Sequence, residues 1–268
     1  MYYTMNSYFM QVETLSFFLY LCYLYSGDFM VKISTLIIEW TKKNYKILIR
    51  SLFVLTIFWY SVFFQWIPVW IFHLNRESIT PTVQVYLSVF ASVILFSIYC
   101  FLYWKDLKKE FKIFKKNLIE NLDAGVRWWL LGLFIMVISN LVITFFLKDG
   151  GAANEKTVQT MLKYAPSLML IEAGFIAPFN EEIVFRKALK DVFSNKWLFA
   201  FLSFLLFGGG HVFSNIKAIT DYLYIIPYGA LGATFALAYD ETDTVFTSLT
   251  MHILHNTALV ILSLFVLK

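Results

Sequence analysis

Two adjacent carboxylates end a long apolar run in the second half of the chain, where residues 177–186 read Ala-Pro-Phe-Asn-Glu-Glu-Ile-Val-Phe-Arg. An acidic side chain near the bilayer centre costs roughly 2.5 to 3.5 kcal/mol even on lenient insertion scales, so Glu181, Glu182 and Arg186 are functional-site candidates. Glu182 and Arg186 are one helical turn apart and are predicted to pair, which leaves Glu181 to point elsewhere. The alternative is that all three form a solvated turn beyond the membrane edge.

Histidines and an asparagine lie in the apolar runs that follow. His211 comes after Phe207-Gly-Gly-Gly, and three glycines allow another backbone or a ligand to approach closely. His252 and Asn256 share one helical face, whereas His255 sits to one side. A single polar residue of this kind usually serves interhelical packing. Together with the two carboxylates, however, these costly groups come from three late helices and predict a shared wet cavity.

These residue types support two chemistries. A carboxylate with an imidazole can take a proton from water, while a second histidine with an asparagine amide can donate hydrogen bonds to a developing oxyanion, as amide hydrolysis requires. One Glu and two His, here Glu181, His211 and His252, are also the ligand set of a catalytic zinc site with an open position for water. Spacing does not separate the two, because the residues lie on different helices.

Composition places these residues in a membrane protein. Of 268 residues, 59% are hydrophobic and 15% charged, and the mean hydropathy is +0.67. A soluble domain is excluded, and we predict an all-α polytopic membrane bundle of about eight transmembrane helices. We expect a single membrane domain, 1–268, with N-terminal helices over 1–163 and the motif-bearing helices over 164–268. The modest net charge of +4 clusters in loops, which predicts contact with membrane lipids and no nucleic-acid partner.

Apolar runs give the expected spans, with the basic loops on one side as the positive-inside rule requires. The spans are 8–26, 51–74, 83–104, 128–147, 164–183, 197–213, 221–239 and 244–267. Residues 31–50 are predicted to lie at the inner membrane surface and 148–163 to form an external loop. Pro178 is predicted to bend the span that carries the carboxylates.

The segment 105–127 is the most polar part of the chain. Its lysines alternate with Leu107, Phe111, Phe114 and Leu118, which recur at i, i+4, i+7 and i+11 and so share one helical face. This pattern favours an amphipathic interfacial helix on anionic lipid and makes the loop cytoplasmic. The alternative is a contact site for a regulatory membrane partner.

Three motifs occur in a fixed order. Residues 181–186 resemble a Glu-Glu-x-x-x-Arg motif, residues 207–211 a Phe-x-x-x-His motif and residues 252–256 a His-x-x-x-Asn motif. In this order they resemble the CPBP family of intramembrane proteases, also called the Abi or type II CAAX prenyl endopeptidase family. The resemblance covers residues 166–264.

The resemblance implies a division of roles. Glu181 with His211 would activate the attacking water, and His252 with Asn256 would steady the oxyanion of the tetrahedral intermediate. The Glu and Arg predicted to pair in the first motif would support these four. Members of the family have been described both as metalloproteases and as metal-free glutamate proteases, so zinc stays open, and we expect no tightly bound metal.

The expected function is therefore an intramembrane endopeptidase of a bacterial cell membrane. It would cleave a peptide or membrane-protein substrate from the cytoplasmic side, in bacteriocin self-immunity or peptide processing. The alternative is a non-proteolytic scaffold that regulates a sensor kinase or another membrane partner through the segment 105–127. A transporter with a proton relay through Glu172 and Glu181 is disfavoured, because the sequence lacks inverted halves and paired broken segments.

Overall fold

A computed structural model describes residues 44–75, 77–147, 153–213, 216 and 218–266. Within these ranges every regular element is helical, which confirms the predicted all-α membrane bundle. The predicted span 8–26 and most of the predicted surface segment, 31–43, lie outside the described residues. The remainder of that surface segment forms the first two turns of a helix.

The described residues form eleven α-helices. They are α1 Asn44–Trp59, α2 Trp66–Ile71, α3 Pro81–Lys116, α4 Leu118–Leu147, α5 Ala153–Tyr164, α6 Pro166–Ile171, α7 Ala177–Glu182, α8 Ala188–Val192, α9 Lys196–Val212, α10 Ile225–Thr242 and α11 Val245–Val266. Short 3-10 turns precede α2 and α10, and π turns join α6 to α7 and α7 to α8. The elements from α6 to α8 therefore make one helical run, 166–192.

Four of these helices are long and apolar enough to cross a membrane, namely α3, α4, α11 and α10 with the turn before it. A fifth span results if Asn44–Trp59 and Ser61–Ile71, which meet at 58°, cross together. The chain is thus a multi-pass membrane protein, but the count of eight spans is not confirmed. The predicted span 51–74 is bent, 164–183 is interrupted at Ala165 between α5 and α6, and α9 has only 17 residues.

The segment 105–127 does not form a helix of its own. Its first part continues α3 without a break to Lys116, and its second part begins α4. The residues that directly follow Trp104 continue the helix, because Lys, Glu and Leu are good helix formers. The expected apolar face packs in part against the protein, since Leu107 and Phe114 are buried whereas Phe111 remains half exposed. Lysines cover the exposed side of this end of α3.

The segment 148–163, which the sequence predicts to be a loop, is helical over most of its length, because α5 begins at Ala153. An apolar face with helical spacing explains the helix, as Val158, Met161 and Leu162 fall at i, i+3 and i+4. Leu162 is buried in a cluster with Val85 of α3. Tertiary packing therefore makes a helix of a segment whose overall composition is polar.

Small residues bring α9 and α10 together. A Cβ atom on Gly208 would lie 2.6 Å from the carbonyl oxygen of Ile225, and one on Gly232 would lie 2.7 Å from the carbonyl oxygen of Ser203. Both distances are shorter than any van der Waals contact, so only glycine fits at these two positions. The two backbones approach as in other membrane helix pairs with small interfacial residues, and this contact fixes the height of His211 at the end of α9.

Candidate active site

The helical run 166–192 carries the carboxylates, and it is widened on both sides of them. In the first π turn, Glu172–Ile176, the N–H of Ala177 donates to the carbonyl of Glu172 instead of the carbonyl of Ala173. The next donor in this pattern would be residue 178, but Pro178 has no N–H. The carbonyl of Ala173 is thus left without a partner in its own helix. Widened turns of this kind occur frequently at functional sites.

Helix α11 supplies the missing partner. Asn256 donates from Nδ2 to the carbonyl oxygen of Ala173 at 3.0 Å, and the next residue, Thr257, lies with Oγ1 3.5 Å from the carbonyl oxygen of Gly174. The Asn256 amide therefore joins α11 to the helical run. Its second N–H remains for another acceptor, because a carboxamide carries two N–H donors.

Glu182, Arg186 and His252 form a buried charged cluster with Glu181. The predicted pair is present, with Arg186 Nη2 3.3 Å from Glu182 Oε1. The same oxygen lies 2.9 Å from His252 Nδ1, and His252 Nε2 lies 3.5 Å from Glu181 Oε2. The alternative of a solvated turn is wrong, because Glu182 and Arg186 are both 0% exposed. Glu181 differs from its neighbours, since 16% of its side chain is accessible.

Arg186 is held between aromatic rings. Its guanidinium carbon lies 4.5 Å from the ring centre of Phe207 in α9 and 5.6 Å from that of Phe235 in α10. None of its nitrogens makes a hydrogen bond of good geometry to the part of the chain that the structure describes. The ring faces and the Glu182 carboxylate therefore compensate the charge.

Hydrogen bonds fix the orientation of both imidazoles. His211 Nδ1 lies 2.9 Å from the carbonyl oxygen of Phe207, and the ring stacks on Tyr228 with centres 4.6 Å apart. A carbonyl only accepts, so we assign the proton of His211 to Nδ1, which leaves Nε2 as an acceptor. By the same reasoning His252 donates from Nδ1 to the Glu182 carboxylate. The Phe207 ring contacts both imidazoles, at 4.5 Å and 5.6 Å between ring centres, so the two histidines belong to one cluster.

The structure does not bring together a zinc site from Glu181, His211 and His252. The described residues contain no group of three His, Cys, Asp or Glu side chains placed to hold a metal ion. His252 has a carboxylate near each ring nitrogen, and His211 has its Nδ1 on a carbonyl and its ring face on Tyr228. These side chains as arranged do not fit a three-ligand zinc centre.

The third histidine of the late helices lies outside this cluster. His255 is buried, and its Nδ1 accepts a hydrogen bond from Trp129 Nε1 in α4 at 3.4 Å. Two aromatic residues around the site, Tyr228 and Phe235, are not among the residues predicted from the motifs. Their spacing was a usable signal, because residues seven apart lie on one face of a helix. Gly232, between them, lies on the same face of α10.

The fold and this site define a multi-pass helical membrane protein with a buried cluster of acid, arginine and histidine. Residues 163–258 match a family model described as Type II CAAX prenyl endopeptidase Rce1-like. The resemblance indicated by the three motifs is therefore confirmed over this part of the chain. The match contains all six predicted site residues and the helices from the last turn of α5 to the middle of α11.

Two curated proteins are similar to longer parts of the chain. One is "Putative membrane peptidase YdiL" of Bacillus subtilis (strain 168), 28% identical over 153 aligned positions, and the match covers 54% of this chain and 59% of the relative. The other is an "Uncharacterized protein" of Mycoplasma capricolum subsp. capricolum, 31% identical over 179 aligned positions, and the match covers 63% of this chain and 52% of the relative. The chain thus spans little more than half the length of these relatives. No solved structure gives a significant match.

Proposed function

We propose that the chain is an intramembrane endopeptidase that hydrolyses a peptide bond in a membrane-associated peptide or protein. The observation that carries the proposal is the position of Glu181. Its side chain is 16% accessible, whereas Glu182, Arg186 and His252 are buried, and its Oε2, itself a buried atom, lies 3.5 Å from His252 Nε2. A carboxylate that water can reach beside an oriented imidazole is suited to proton transfer during hydrolysis. The family match of residues 163–258 supports the same class of reaction.

The charges of the cluster suggest where its proton resides. Two carboxylates and one guanidinium sum to one negative charge, and a proton on His252 would make the buried cluster neutral. For His252 to donate to an oxyanion while Nδ1 donates to Glu182, a proton must also be present on Nε2, and the carboxylates beside its two ring nitrogens would compensate that charge. That N–H can then donate to an oxyanion.

The proposed reaction uses the predicted roles. Glu181 takes a proton from water as the water oxygen bonds to the substrate carbonyl carbon, and His211 Nε2 orients this water by accepting its other hydrogen. His252 Nε2–H and the second N–H of Asn256 stabilise the oxyanion. Glu181 then gives its proton to the leaving nitrogen, the C–N bond breaks, and the carbonyl re-forms as a carboxylic acid.

We place the protein in a bacterial cell membrane with the site opening to the cytoplasm, in bacteriocin self-immunity or peptide processing. The bacterial relatives and the basic end of α3 support this placement. The C-terminal part of the helical run 166–192 lies beside the basic end of α3, because Lys187 pairs with Glu110 of α3.

Comparison of cleavage products in cells tests the proposed function. Cells that express the wild-type chain or Glu181→Gln are compared by mass spectrometry of newly formed protein N-termini. We expect a set of termini that requires Glu181 and persists in Glu241→Gln, a matched substitution in an exposed ion pair with Arg127. Identical termini in all three strains would contradict proteolysis. A synthetic peptide that spans the cleavage site then serves for kinetics with purified protein.

A scaffold that binds a membrane partner is the second candidate, and the exposed lysines at the end of α3 favour it. They lie exposed at the C-terminal end of a continuous helix, where they can contact lipid headgroups or an acidic partner. In that case Glu181→Gln would keep the full biological effect, whereas reversal of the lysine charges would remove it.

A further inference from the structure

Glu110 belongs to α3, outside the part of the chain that matches the family, yet it contacts the helices of the site. Its side chain is buried, and Oε2 accepts a hydrogen bond from the backbone N–H of Val245 at 2.8 Å. The hydroxyl of Thr244 donates to the Glu110 backbone carbonyl at 3.1 Å. Oε1 accepts from the Tyr239 hydroxyl at 3.0 Å. Glu110 therefore holds the junction between α10 and α11.

The contact with Val245 is a helix cap supplied from another helix. Val245 is the first residue of α11, and the first N–H groups of a helix have no partners within it. A carboxylate there also compensates the positive end of the helix dipole. His252 follows Val245 by seven residues, so both lie on the same face, two turns apart. Fixing Val245 therefore fixes the position of His252 along the axis of α11.

The same carboxylate also holds the helical run 166–192. Lys187 Nζ lies 3.2 Å from Glu110 Oε1 and 2.5 Å from Asp191 Oδ1, and Lys187 directly follows Arg186. Arg50 of α1 extends this network, with 2.7 Å to Asp191. One buried side chain of α3 thus joins the start of α11 to the helix that carries both site carboxylates.

We infer that Glu110 is a positioning residue, which sets the height of α11 against the helical run so that His252 stays between Glu181 and Glu182. The inference deepens the proposed function and rests on it for its effect on turnover. Glu110 itself does not touch the reacting atoms. Its effect on the geometry of His252 is independent of any substrate, and can be measured without one.

Nitrogen-15 NMR of histidine in the purified full-length protein, in lipid nanodiscs, measures this geometry. The sequence has four histidines, and the signals lost in His252→Asn identify the ring of interest. We expect Glu110→Ala to shift the His252 signals and to lower kcat at least tenfold with KM within about twofold on the synthetic peptide. Glu110→Gln should stay within about threefold of wild type, because its amide oxygen can still accept from Val245.

Two further variants make the test decisive. Val245→Pro removes the N–H that Glu110 caps, at a first helical position where proline is well tolerated, so it replaces Glu110→Ala if that variant does not fold. It should shift the same His252 signals, whereas Glu241→Gln should not. Unchanged His252 signals in a folded Val245→Pro or Glu110→Ala protein would overturn the inference. If the wild type cleaves no peptide, the proposed function fails, and the NMR result still decides the role of Glu110.

Discussion

At the scale of single residues, the buried charge of Arg186 is compensated mainly by one carboxylate. Glu182 is its nearest counter-charge, and neither side chain reaches solvent. We expect Glu182→Gln to destabilise the protein by about 3–5 kcal/mol, because it leaves a buried guanidinium poorly compensated. Unfolding in detergent by SDS titration measures the loss.

Removing both partners separates stability from activity. We expect Glu182→Gln with Arg186→Met to recover most of the lost stability, since no buried charge is left unpaired. Cleavage should remain absent, because His252 has lost the carboxylate that orients it. A double variant that is as unstable as the sum of the two single variants would contradict the pairing.

Asn256 is expected to serve stability as well as chemistry. Asn256→Ala leaves the Ala173 carbonyl without its donor and should cost about 1–3 kcal/mol in the free energy of unfolding. Thr257→Val is the matched control, because its hydroxyl lies at the longer distance of 3.5 Å from the Gly174 carbonyl and should cost less. Equal losses of stability in the two variants would show that the hydrogen bond to Ala173 contributes no more than the longer contact of Thr257.

Metal removal tests the arrangement of the histidines. Because the described side chains form no three-ligand group, we expect cleavage of the synthetic peptide to be unchanged after dialysis against a chelator. Elemental analysis of the purified protein before and after dialysis is the accompanying measurement. Loss of cleavage that added zinc restores would show that Glu181, His211 and His252 rearrange to bind the metal.

Part of this site can be predicted from the sequence, and the rest cannot, for a physical reason. The Glu182–Arg186 pair follows from helical spacing alone, since residues four apart are neighbours on any helix. The contact between Glu182 and His252 joins residues 70 positions apart, and no local spacing encodes it. The same is true of the bond from Asn256 to Ala173, which depends on a carbonyl that only the folded π turn leaves unpaired.

At the scale of helices, the contact between α9 and α10 distinguishes two neighbouring glycines. We expect Gly208→Ala to destabilise the protein by about 1–3 kcal/mol through overpacking against the Ile225 carbonyl. Gly210→Ala is the control, because its added Cβ would lie 3.6 Å from Trp59 and 3.7 Å from Phe185, which are ordinary contacts. It should be neutral or slightly stabilising, since alanine favours helix over glycine by about 1 kcal/mol.

Thermal unfolding in detergent compares the two alanine variants directly. Similar unfolding temperatures would mean that the triple glycine does not serve the close approach of α9 and α10. The apolar runs predict where helices exist, but the residues at which the helices begin and end depend on packing and capping. Thus α3 continues through its lysines to Lys116, and a polar segment forms α5 because Leu162 is buried.

At the scale of the whole molecule, the N-terminal half supports the half that carries the motifs. The family match covers 163–258, whereas Glu110 and Arg50 reach the site helices from α3 and α1. Composition indicates the membrane bundle, but it does not indicate this support. The role of a buried polar residue such as Glu110 depends on partners that are distant in sequence.

Orientation in the membrane is the last expectation, and α3 makes it measurable. A helix of 36 residues is about 54 Å long at 1.5 Å per residue, whereas the hydrocarbon core is about 30 Å thick, so its two ends emerge on opposite sides. Glu77, just before α3, and Lys112, near its end, are both exposed.

The sequence has two cysteines, Cys22 and Cys100, so a variant with serine at both gives a background without thiols. In this background we expect a membrane-impermeant maleimide to label Glu77→Cys in intact cells and Lys112→Cys only after permeabilisation, because the lysines should face the cytoplasm. The reverse pattern would place the site on the outer side, and labelling of both from outside would mean that α3 does not cross.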